Sequence, residues 1–162
     1  MFSYNPTIYK ITEILGYLAL LVVGVYGLIG LYQLIKRKSL KKVDKEIIIL
    51  GIFYVVVICI YVLFEKVVIN YRPVILDGIL EASFPSSHTL LAICVCGSGI
   101  IVNNKIFNDY KYINIINKCL IVLLILIVIG RLISGVHWLS DIFGGVIIAC
   151  TLLYTFNYFI NK

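Results

Sequence analysis

Five apolar runs dominate the chain: 14–35, 46–64, 86–102, 112–130 and 141–160. Each is apolar on all sides, with no single stripe at helical spacing, and each is too long for a buried strand. A hydrocarbon core about 30 Å thick needs roughly 20 such residues per spanning helix. Lipid offers no hydrogen-bond partner to the backbone, so the spans must be helical. The pattern predicts an all-α fold: a polytopic membrane bundle of about five transmembrane helices, in a single integral-membrane domain covering 1–162. No small-residue cleavage site follows the first run, so it reads as a retained helix and not a signal peptide. No internal repeat or low-complexity linker interrupts the series.

Composition agrees. Of 162 residues, 62% are hydrophobic, more than a soluble core of this size needs. Five or six spans leave no room for a soluble domain. The five cysteines lie inside apolar runs without a C-x-x-C pair, which argues against a disulfide framework or zinc site.

Charge sets the expected orientation. The first polar loop holds Lys36, Arg37, Lys38, Lys41, Lys42 and Lys45; the third adds Lys105 and Lys111, with Lys118 close by. With these on the cytoplasmic side, the N-terminus is outside and the C-terminus inside. The outer face keeps only Lys10, Lys66, Arg72 and Arg131. The net charge of +6 therefore reads as topology and contact with anionic membrane lipids, and no nucleic-acid partner is expected.

Three of those outer basic residues stand near the only two histidines. In Ala82-Ser83-Phe84-Pro85-Ser86-Ser87-His88, serines and a proline precede an apolar run. This is the signature of a helix start, where free N–H groups of Ser86, Ser87 and His88 would attract an anion. In Gly130-Arg131-Leu132-Ile133-Ser134-Gly135-Val136-His137-Trp138-Leu139-Ser140-Asp141, His137 and Asp141 are four apart. They share a helical face if the fifth helix starts early. A carboxylate on one imidazole nitrogen would leave the other basic and nucleophilic. Asp141 needs a partner at depth, and His137 is the nearest. Trp138 reads as an interface anchor. Lys66 and Arg72 flank the outer end of the second run; Arg suits phosphate oxygens with a two-donor fork. The loop between Pro73 and Ser83, with Asp77 and Glu81, reads as a solvated interfacial segment, with head-group selection as the sharper alternative.

Together these stretches resemble the three signature motifs of the type 2 phosphatidic acid phosphatase superfamily, the membrane lipid phosphate phosphatases: K-x6-R-P, P-S-G-H and S-R-x5-H-x3-D. Arg72-Pro73 matches the end of the first. Pro85-Ser86-Ser87-His88 matches the second, with Ser87 for Gly. Arg131, His137 and Asp141 match the third, with Gly130 for Ser. The first motif's lysine position holds Glu65, and Lys66 stands one residue later. The family's membrane members usually have six spans, against five here.

The resemblance implies hydrolysis of a lipid phosphate or polyprenyl diphosphate through a phosphohistidine. His137 would be the nucleophile, Asp141 its orienting carboxylate and His88 the acid and base. Arg72, Arg131, Lys66, Ser86 and Ser87 would hold the phosphate. It implies no metal and no cofactor. The expected location is a bacterial plasma membrane, with the site on the extracytoplasmic face and the C-terminus cytoplasmic. A phosphotransferase of the same fold, or a non-catalytic transporter or scaffold, is the alternative. The sequence leaves the oligomeric state open.

Overall fold

In the computed structural model, residues 3–76 and 78–162 are described; Asp77, one of the two loop acids named above, lies outside them. Five long helices account for most of the described residues: α1 (Pro6–Arg37), α2 (Lys45–Lys66), α3 (Ser87–Ile106), α4 (Ile113–Ile133) and α5 (Leu139–Asn161). All five are long and apolar enough to cross a membrane. The chain is an all-helical integral membrane protein. The five cysteines are unpaired.

α3 is the central helix. It packs against each of the other four and buries Leu90, Cys94, Val95, Cys96 and Val102. The outer helices instead turn Leu21, Leu28, Ile52, Ile58, Ile125 and many similar side chains outward. That is the expected distribution when lipid, not water, is the surrounding solvent. Away from the site, polar side chains inside the bundle pair with each other. Tyr26 of α1 donates to Asn103 Oδ1 of α3 at 2.7 Å. Asn103 donates to Asn117 Oδ1 of α4, and Asn117 to Asn104 Oδ1, both at 2.8 Å. Interhelical bonds of this kind contribute about 0.6 kcal/mol each, and here they pin α1, α3 and α4 in one rotational setting.

The boundary of α1 departs from the hydrophobic pattern. The helix starts at Pro6, eight residues before the apolar run. Asn5 caps it, its Oδ1 accepting from Thr7 N and Ile8 N, both at 3.1 Å, and Pro6 suits the first helical position, where no N–H is needed. At 32 residues and 1.5 Å per residue, α1 is about 48 Å long. Its extra turns reach beyond the hydrocarbon and over the site.

The helices alternate in direction. The start of α1, the end of α2, the start of α3, the end of α4 and the start of α5 therefore gather at one end of the bundle. The basic loop 36–45 lies at the other.

Candidate active site

The connection from α2 to α3 is not a plain loop. Tyr71 and Ala82 form an antiparallel bridge, flanked by Arg72 N to Glu81 O at 3.1 Å and Ser83 N to Asn70 O at 3.0 Å. Pro73 holds Arg72 extended. Side chains alternate along extended backbone, so Asn70 and Arg72 share a face with Glu81 and Ser83. That face makes the site. Arg72 Nη2 pairs with Glu81 Oε2 at 3.0 Å, while Asn70 and Ser83 reach Asp141.

Asp141 is fully buried in the first turn of α5 and accepts three hydrogen bonds. Asn70 Nδ2 donates to Oδ1 at 3.0 Å. The Trp138 backbone N–H donates to Oδ2 at 2.9 Å, and Ser83 Oγ to the same oxygen at 2.5 Å. Ser83 Oγ also lies 3.1 Å from His137 Nδ1. Its single proton goes to the carboxylate, so it accepts from Nδ1–H. His137 thus carries its proton on Nδ1 and a free lone pair on Nε2.

This corrects the expectation of a direct contact on one helical face. α5 begins at Leu139, so His137 lies before the helix. It sits in a turn that Gly135, at φ +70°, allows to reverse. His137 Nδ1 and Asp141 Oδ2 are 3.7 Å apart, beyond hydrogen-bond length. Asp141 finds its partners in Ser83, Asn70 and the Trp138 N–H. Burial penalises the imidazolium of His137 and outweighs the pull of Asp141, which holds its pKa below the ordinary histidine value.

Arg131, in the last turn of α4, is 0% exposed. Its guanidinium lies 4.9 Å from the centre of the Tyr9 ring, a cation–π contact. Nε, Nη1 and Nη2 find no hydrogen-bond partner among the described residues; the same holds for Arg72 Nε and Nη1 and for His137 Nε2. Buried cationic donors left in this condition are costly unless an anion meets them.

His88 stands in the first turn of α3, its Nδ1 also buried and unpartnered among the described residues. Its ring lies against Gly16 of α1, where an added Cβ would come within 2.9 Å of Cδ2. It lines a cavity of about 220 Å³ bounded by α1, α3, Tyr61 and Ile127. A second, smaller cavity is lined by His137, Glu65, Phe84 and Pro85; Ser87 borders both. Helix geometry leaves the N–H groups of Ser87, His88 and Thr89 without intrahelical acceptors.

Two expected phosphate ligands are placed differently. The Ser86 N–H is committed to Asp141 O at 3.0 Å, so this residue offers only its buried hydroxyl, which has no partner among the described residues. Lys66 ends α2 exposed and lines neither cavity, whereas Glu65 lines the second. One residue along a helix turns the side chain by about 100°, which separates the two.

Several residues of this site are not marked by the sequence pattern. Asn70 and Ser83 become visible only through the bridge that pairs their segments. Tyr9, Thr12 and Glu13 come from the unforeseen first turns of α1, and Gly16 from the start of the predicted helix. Trp138 does more than anchor the interface: its Nε1–H donates to Tyr71 O at 2.9 Å, clasping the bridge to α5. Gly130, where the resemblance puts serine, also has a reason. A Cβ there would overlap Thr12 Cγ2, and Thr12 is itself buried. α1 has taken the space.

Comparison with known proteins bears on the family and the fold. The sequence profile of the PAP2 superfamily matches residues 65–162. Among solved structures, the chain is similar to the first transmembrane PAP2-type phosphatidylglycerolphosphate phosphatase from Bacillus subtilis. The TM-score is 0.72 at 19% identity, over 98% of this chain and 79% of that one. A comparison with curated protein sequences finds no match. The matched region holds the bridge, both histidines, Arg72, Arg131 and Asp141, and the chain belongs to the PAP2 superfamily, a phosphatase family.

Proposed function

We propose that this protein hydrolyses a lipid phosphate at the outer membrane face through a phosphohistidine on His137. The observation that carries the proposal is the fully buried Arg131 guanidinium, unpartnered on all three nitrogens among the described residues, together with the free Nε2 of His137. A phosphoryl group satisfies both: its oxygens accept from Arg131 and Arg72, and its phosphorus meets the ring nitrogen.

In the first step, His137 Nε2 forms a bond to phosphorus as the P–O bond to the lipid breaks. The electron pair leaves with that oxygen, which takes a proton from His88. Ser83 and Asp141 stabilise the ring as its charge grows, since Nδ1–H already points at the serine. In the second step water attacks phosphorus and gives its proton to His88. The P–N bond breaks, and the pair returns to Nε2. Arg131, Arg72 and the N–H groups opening α3 face the charge that builds on the phosphoryl oxygens. Preorganised burial makes those charges effective.

The six basic residues at the far end of the bundle support an extracytoplasmic site and a cytoplasmic C-terminus. The single-domain reading of 1–162 fits a site assembled from α1 through α5. The structural similarity to a phosphatidylglycerolphosphate phosphatase of Bacillus subtilis makes that enzyme's lipid a natural first substrate to try.

The test is release of inorganic phosphate by purified protein from a panel of phospholipid monoesters and polyprenyl diphosphates. His137→Ala is expected to abolish release while the protein still inserts and purifies. Undiminished release from that variant contradicts the nucleophile; phosphate passed to an acceptor instead of water identifies a transferase.

A further inference from the structure

The cavity at His88 carries a charge that the phosphatase reading does not use. Tyr9, Thr12, Glu13 and Gly16 recur at helical spacing on one face of α1. Tyr9 covers Arg131, Thr12 fills the space over Gly130, and Gly16 abuts His88. Glu13 sits among them and lines the cavity beside His88, within electrostatic reach of Arg131. The remaining wall is largely apolar, with Leu20, Leu91, Val95 and Ile127, and it contains no Lys or Arg among the described residues. A half-buried carboxylate set against this largely apolar wall is costly to desolvate and points to a role.

The cavity meets the ring that protonates the leaving oxygen, so it is where the leaving group goes. For a phosphomonoester the leaving group is an uncharged alcohol on an apolar chain, which suits this wall; its hydroxyl donates to Glu13 after cleavage. For a diphosphate, the leaving group is itself a phosphate. It would stand beside a carboxylate with no cation among the lining residues. Positive charge is scarce on the other side as well. Arg72 is shared with Glu81, Lys66 faces outward, and Glu65 occupies the lysine position of the first motif and lines the cavity at His137.

We infer that this site selects phosphomonoesters with a neutral leaving alcohol and rejects diphosphates, and that Glu13, by repelling a charged leaving group, determines that selectivity. The inference rests on the phosphatase reading and narrows its substrate class.

The experiment compares dodecyl phosphate with dodecyl diphosphate in detergent micelles, reading phosphate release by wild type, Glu13→Gln and Glu13→Asp. The two substrates share a chain and differ in the bond cleaved and in the leaving group, a neutral alcohol from one and a charged phosphate from the other; the change of their ratio between variants isolates the effect of that charge. Wild type is expected to favour the monoester in kcat/KM, although an anhydride is intrinsically the more reactive bond. Glu13→Gln is expected to shift the ratio toward the diphosphate by about tenfold or more, the scale of two like charges roughly 10 Å apart at an effective dielectric near 20. Glu13→Asp, which keeps the charge, retains the preference. A wild type that favours the diphosphate overturns the inference without needing any variant, and so does an unchanged ratio in Glu13→Gln. No release from either substrate by wild type overturns the phosphatase reading and this inference with it.

Discussion

His137 and Asp141, four residues apart in sequence, do not touch: Ser83 stands between them, 3.1 Å from the ring and 2.5 Å from the carboxylate. The serine comes from the opposite side of the site, on the segment that pairs with Asn70 and leads into α3. Orientation of the proposed nucleophile therefore depends on the α2–α3 connection as much as on the turn that carries it.

Ser83→Ala removes the acceptor for His137 Nδ1–H and leaves 3.7 Å to the nearest carboxylate oxygen. Asp141 keeps Asn70 and the Trp138 N–H, so the fold should hold. The expected result is a fall in kcat of about 10²-fold with KM little changed. Ser83→Thr, which restores the hydroxyl, should recover part of it. Equal losses in both variants would mean that packing, not the hydroxyl, matters at this position.

The pH dependence follows from the burial of His137. In the proposed mechanism its neutral form is the nucleophile, and its pKa in the folded protein is lowered. The acid limb of kcat/KM should therefore fall below the ordinary histidine value of about 6.5. The sign for stability is the same. Below about pH 6.5 the unfolded chain binds a proton that the folded site resists, so this group lowers stability as pH falls toward its folded pKa. Asp141→Asn removes the pull that favours the imidazolium, and the residual activity should show an acid limb at still lower pH. Rate profiles of both proteins in one detergent check this; a shift to higher pH would contradict the assignment.

Gly130→Ser restores the residue of the signature motif, yet it should harm this protein. Its Cβ would press on Thr12 Cγ2, and overpacking of this kind typically costs about 1–3 kcal/mol. Thr12→Ala should relieve it, so the double variant should be more heat-stable than Gly130→Ser alone. Thermal inactivation of the three variants measures the coupling.

The spans are plain in the sequence because lipid demands long, uniformly apolar helices, a signal no other arrangement produces. Both histidines, Arg72, Arg131 and Asp141 are legible as candidates because the phosphate chemistry proposed for them restricts residue types and spacing. The start of α1 is not. Asn5-Pro6 is a helix-start signal, but its next turns carry Tyr9, Thr12 and Glu13, polar enough to look like a leader to the apolar run. Their polarity reflects the site they cover. Asn70 and Ser83 are hidden for another reason. Each looks like an ordinary loop residue until backbone pairing sets it opposite the other, and pairing across 13 residues leaves no periodic trace. Lys66 misleads because sequence distance alone does not say which way a side chain turns at the end of a helix.

The proposed chemistry requires Arg131, Arg72 and His137 Nε2 to surround one phosphoryl group. The decisive measurement is a structure of the protein with orthovanadate, which takes the trigonal-bipyramidal shape of the transferring group. Vanadium is expected bonded to Nε2 of His137, its equatorial oxygens on the guanidinium of Arg131 and the N–H groups opening α3, with His88 facing the apical oxygen. Vanadate bound elsewhere, or bonded to His88 instead, would refute the arrangement.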